Sequence, residues 1–82
     1  MRVLKVTTSV IDLLAEPAPF QPNYTVVVAN LTGSTVTLQE SDNADGSSPT
    51  TLSAVAADTL VEVSLNKRYI LTAASQCFLV GN

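Results

Sequence analysis

The chain has 82 residues, 46% of them apolar and only 13% charged, with a net charge of −3. That balance excludes a disordered chain, which is poor in apolar residues and rich in charge, and the length fits one domain. Four basic residues, Arg2, Lys5, Lys67 and Arg68, are too few for the basic stripe of a nucleic-acid binder, and no apolar run approaches the roughly 20 residues a membrane-spanning helix needs.

Arg2 to Thr8 reads as a half-buried strand. Lys5 interrupts the apolar run behind Met1-Arg2, so no secretory leader is expected and synthesis in a host cytoplasm is. Ser9 to Ala15 fits either a strand or one to two helical turns. Glu16-Pro17-Ala18-Pro19-Phe20-Gln21-Pro22 carries three prolines, which cannot donate to a sheet ladder. It reads as a stiff connecting loop with Phe20 pinned under it. Residues 1–22 therefore form an N-terminal strand or arm with a Pro-rich connection, and residues 23–82 the body of what is overall a single domain.

Asn23 to Ala29 is rich in β-branched residues, and Thr35 to Gln39 places Val36 and Leu38 on one face. Gly33, free to take positive φ, lies between them, and the two runs are expected to form a β-hairpin. Ser41 to Pro49 is almost wholly turn-forming and reads as an exposed loop. Thr50 to Val55 is a short strand, and Ala56-Ala57-Asp58 a turn. From Thr59 to Leu65, Val61, Val63 and Leu65 share one face, with Leu60, Glu62 and Ser64 opposite. Asn66-Lys67 is a tight connection to strands at Arg68 to Thr72 and Gln76 to Val80, joined by Ala73-Ala74-Ser75. Seven or eight short strands at near-regular spacing predict an all-β fold, a small antiparallel β-sandwich or barrel.

Catalytic chemistry finds little support. Nucleophilic catalysis needs a nucleophile with an oriented base; there is no histidine, and Lys5 and Lys67 stand beside no Ser or Cys motif. Cys77, inside the last strand, reads as a small buried hydrophobe. Among the acids Asp12, Glu16, Glu40, Asp42, Asp45, Asp58 and Glu62, only Glu40, Asp42 and Asp45 lie near one loop, and a solvated turn explains them. Asn43-Ala44-Asp45-Gly46 matches the middle of a calcium loop, but Ser41 and Leu52 stand where charged ligands belong. No catalytic residue, metal site or cofactor is therefore expected, and the chain is not expected to be an enzyme. Asn23-Tyr24-Thr25 and Asn30-Leu31-Thr32 fit the glycosylation triplet and are read as chance matches in a Thr-rich chain. Arg68-Tyr69 is the sole adjacency of basic and aromatic residues. Strand alternation would send those side chains to opposite faces, so no base-stacking platform is expected.

A chain this short commonly gains stability from disulfides, a metal or a partner. A single cysteine excludes an internal disulfide and no His or Cys cluster supports a metal. A protein partner or a second copy is the remaining route, and it would also cover exposed sheet edges.

The run Thr35-Val36-Thr37-Leu38-Gln39-Glu40-Ser41-Asp42, the loop with Gly46, Thr51-Leu52, and the ending Arg68-Tyr69-Ile70-Leu71 with Phe78-Leu79-Val80-Gly81-Asn82 resemble small virion proteins of tailed bacteriophages. The resemblance spans Val26 to Asn82. It implies a β-rich capsid decoration, or cement, protein on the outer surface of a virion, which binds and stabilises the shell of major capsid proteins, alone or as a homo-oligomer. The N-terminal segment, outside the resemblance, is expected to be the arm that reaches a neighbour. The alternatives are a tail, neck or fibre-base component, or a recognition module for a glycan or host surface. Modules of that last kind usually cluster exposed Trp or Tyr, whereas this chain has no Trp and two Tyr.

Overall fold

A computed structural model describes all residues from Met1 to Asn82. The chain forms eight strands: β1 (Arg2–Val6), β2 (Ile11–Asp12), β3 (Thr25–Asn30), β4 (Val36–Ser41), β5 (Thr50–Val55), β6 (Thr59–Ser64), β7 (Tyr69–Thr72) and β8 (Cys77–Gly81). They form two four-stranded antiparallel sheets. The first has the order β1-β8-β3-β6, the second β2-β7-β4-β5.

The pairing is nested. β1 pairs with β8, β2 with β7, β3 with β6 and β4 with β5, and successive pairs alternate between the sheets. Contacts of β3 with β8 and of β4 with β7 join the pairs into sheets. One long hairpin has in effect been rolled over on itself, which is the winding of a jelly roll.

The inward residues interlock between the layers. Val6, Val26, Val28, Val63, Cys77 and Leu79 come from the first sheet, and Val36, Leu38, Val55 and Ile70 from the second. Leu13, Phe20 and Leu65 complete the buried cluster from the connections. Val61, Val63 and Leu65 share the inner face as expected, with Leu60, Glu62 and Ser64 outside.

The expected hairpin between residues 23 and 39 does not form. β3 and β4 lie in different sheets, so the segment through Gly33 crosses from one layer to the other. Asn30 shows how that crossing is held. Its fully buried side-chain amide donates to the carbonyl of Ser34 at 2.8 Å, and to those of Val55 and Ala56 at 2.9 and 3.2 Å. Its Oδ1 accepts from the backbone N–H and hydroxyl of Thr32. One side chain thus links the β3–β4 crossing to the β5–β6 crossing, and the carbonyls turned away from the ladders find donors.

Residues 1–22 are built into the same sandwich. β1 is an edge strand paired from Arg2 opposite Gly81 to Val6 opposite Cys77. Val6 and Leu13 are fully buried and Phe20 is 3% exposed. An arm that detached would leave β8 as a bare edge, paired with β3 alone, and open the core. The ambiguous stretch Ser9 to Ala15 adopts both of its readings, as β2 followed by a 3-10 turn over Leu13–Ala15 that Asp12 caps. No helix is long and apolar enough to cross a membrane.

Candidate functional site: an uncovered apolar sheet face

The groups that sequence reasoning singled out for chemistry do not converge. Glu40 is turned inward and accepts the Asn66 N–H at 3.3 Å. Asp42 pairs with Lys67 at 3.4 Å. Asp45 accepts the Ser47 N–H at 3.0 Å, and that bond holds its carboxyl below the ordinary range. The Ser41 hydroxyl, at the first position of the calcium-like pattern, donates to Ser47 C=O and accepts from Asn43 N–H. Nowhere do three His, Cys, Asp or Glu side chains come together as metal ligands would.

Cys77 faces the core, and burial pushes its thiol up to about 11. A thiol so placed holds its proton and is a poor nucleophile. The side chains of Arg68 and Tyr69 were expected on opposite faces. Instead the guanidinium lies over the Tyr69 ring, 5.1 Å from its centre. The reason is local: Arg68 sits in the turn before β7, where strand alternation does not yet apply. Asn30, in the second glycosylation triplet, has its amide buried and fully engaged, whereas Asn23 is exposed with φ +74°.

What the structure does assemble is a surface. On the outer face of the first sheet, the register aligns Val3, Val80, Val27 and Glu62 in one row across β1, β8, β3 and β6. The next row aligns Lys5, Phe78, Ala29 and Leu60. Only Lys5 and Glu62 interrupt the apolar surface, and they stand at diagonally opposite corners on the two edge strands. Val3 is 55% exposed and Leu60 69%; Val27, Phe78 and Val80 are half-buried. Ala29 is closed over between its cross-strand neighbours Phe78 and Leu60. An open groove of about 440 Å³ extends the face past the valine row, lined by Met1, Pro19, Thr25 and Asn82 among others.

An antiparallel sheet with one wet side ordinarily carries polar residues there. The second sheet does so with Thr37 and Gln39 on β4. Its outward Leu71 is shielded by the 42–49 loop, where Gly46 (φ +76°) approaches Leu71 and Val10 so closely that a β-carbon would lie 3.4 and 2.6 Å from them. In those two rows the first sheet has only Lys5 and Glu62 as polar residues, both on its edge strands, and no loop covers them. A signal for this lay in the sequence. Val26-Val27-Val28-Ala29 and Cys77-Phe78-Leu79-Val80 are apolar without alternation, the pattern of strands buried on both faces. Within the single chain only one face of β3 and β8 is covered by the second sheet.

The fold and surface together define an eight-stranded antiparallel sandwich with jelly-roll winding and one uncovered apolar face. No protein-family model, curated protein or solved structure matches the chain.

Proposed function

We propose that the chain is a non-catalytic structural protein of a virion, a decoration or cement protein that binds and stabilises a shell of major capsid proteins. The observation that carries this reading is the outer face of the first sheet. Its two central strands have the composition of doubly covered strands, and the chain supplies one cover. Leaving such apolar surface in water forgoes stabilisation at about 25 cal/mol per Å², so a subunit built this way favours packing against protein neighbours. Patches of this kind typically mark interaction sites. Jelly rolls occur among capsid proteins, and also among lectins and cupins, so the winding alone does not select a role. The resemblance of residues 26–82 to small phage virion proteins supplies the setting.

The test is made on particles purified from the genome that encodes the chain. Mass spectrometry should find the chain in fixed stoichiometry with the shell protein. Particles made without it should release their nucleic acid at lower temperature. Particles that lack the chain altogether, or that keep their full heat resistance after its gene is deleted, would overturn the reading.

A further inference from the structure

We propose that the outer face of the first sheet docks a second copy of this chain, face to face, through a two-fold axis that sets Lys5 of each copy over Glu62 of the other. The inference stands on the face itself, whether or not the chain decorates a shell.

The charge placement favours a second copy over an unrelated partner. Lys5 lies on β1 in the row of Phe78, and Glu62 on β6 in the row of Val80, so the line joining them crosses the patch diagonally. Two-fold association brings the same patch of both partners together, so a residue that meets another does so twice. An axis in the plane between the faces, perpendicular to that diagonal, exchanges the two corners. Each lysine then faces a glutamate, and no like charges meet. The same operation lays the apolar centre, Val27, Phe78 and Val80, on its own counterpart. The face is therefore self-complementary in charge as well as in hydropathy.

The dimensions agree. Packed sheets lie about 10 Å apart, so the short dimension of the 29 × 28 × 16 Å molecule runs across the two layers and the broad side is a sheet face. A side of that breadth has room for an interface of standard size, which takes roughly 800 Å² from each partner. The opposite broad side is polar and carries the 42–49 loop, which leaves the first sheet as the apolar candidate.

The experiment is sedimentation of the full chain from micromolar to millimolar concentration. The expected result is a monomer–dimer equilibrium. Val80→Arg, at the centre of the patch and pointing away from the core, should give a folded monomer. Lys5→Glu and Glu62→Lys each place like charges together at both symmetric corners and should weaken association roughly tenfold or more. Combining them restores opposite charges and should return the affinity to within a few-fold of the parent. Both charge positions are exposed, so these variants test the pairing even if Val80→Arg does not fold. A monomer throughout, a dimer indifferent to Val80→Arg, or a double exchange no stronger than the single ones would overturn the proposal. A monomer that still binds purified shells would sink this pairing and leave the shell reading standing; a dimer that ignores shells would do the reverse.

Discussion

Arg68 grips Asp12 through two parallel hydrogen bonds, Nε to Oδ1 and Nη2 to Oδ2, each 3.0 Å long. The same carboxylate accepts the Leu14 N–H at 3.0 Å and so caps the 3-10 turn. The short β2–β7 ladder of two residue pairs is thereby clamped where it is weakest. The Leu13 N–H adds a bond to the Arg68 carbonyl.

That clamp has a pH signature. The Arg68 hydrogen bonds, with help from the Leu14 N–H, hold the Asp12 carboxyl below its ordinary value of 3.8. A depressed folded pKa adds stability that is present above the unfolded value and lost as pH falls through the folded one. Asp45 titrates in the same sense through Ser47. Urea unfolding at pH 7, 5 and 3 should therefore show a loss concentrated below about pH 4. Asp12→Asn should lower stability at pH 7 and flatten that loss without abolishing it. If Asp12→Asn left the protein as pH-sensitive as the parent, the acid limb would belong to other groups.

Asn30 is the buried polar hub of the two crossings, and its removal should be felt accordingly. Asn30→Ala strips donors from the carbonyls of Ser34, Val55 and Ala56. Unsatisfied buried groups cost about 1–3 kcal/mol each, and some of these carbonyls are partly wet. An overall loss of about 2–3 kcal/mol in chemical denaturation is expected. Asn30→Asp should cost more, because a carboxylate would face carbonyl oxygens. Equal losses in the two variants would contradict the donor role.

Gly46 meets two constraints that can be separated. Its φ of +76° disfavours any side chain, and a β-carbon would sit 2.6 Å from Cγ2 of Val10. Gly46→Ala should destabilise the protein by about 1–3 kcal/mol. Repeating it in a Val10→Ala background should recover the steric part and leave the backbone part. A double-mutant cycle with no coupling would show that the loop does not press on Val10.

Cys77 offers a reporter of opening. Its sulfur is fully buried and its thiol is raised to about 11. Labelling by a soluble thiol reagent at pH 8 should be slow in the folded protein and should follow the unfolding equilibrium as urea is added. Rapid labelling in water would mean that β8 opens locally, without global unfolding.

The strands themselves were legible because burial on one face writes a period of two. Val61, Val63 and Leu65 against Leu60, Glu62 and Ser64 is the clearest case; Phe20 was readable for a different reason, as the one large apolar side chain of its Pro-rich loop. Pairing was not legible. The residues around Gly33 encode a reversal, and a reversal looks the same whether the chain returns to its own sheet or crosses to the other. The crossing is decided by long-range bonds, such as those from Asn30 to Val55 and Ala56, which no local pattern carries. The apolar face was half-legible. The unbroken runs in β3 and β8 signalled two buried sides, but their alignment with Val3 and Leu60 depends on register. Arg68 over Tyr69 was missed because alternation was extended one residue beyond the strand.

The nested pairing also sets an order of events in folding. Only β4 and β5 are consecutive strands hydrogen-bonded to each other, so their reversal through residues 42–49 is the least expensive ring to close. Once it exists, the short crossings at 31–35 and 56–58 bring β3 and β6 together without a long search. The same logic then carries β7 and β2, and last β8 and β1. The chain should condense from its middle outward, with its ends arriving late and fraying first.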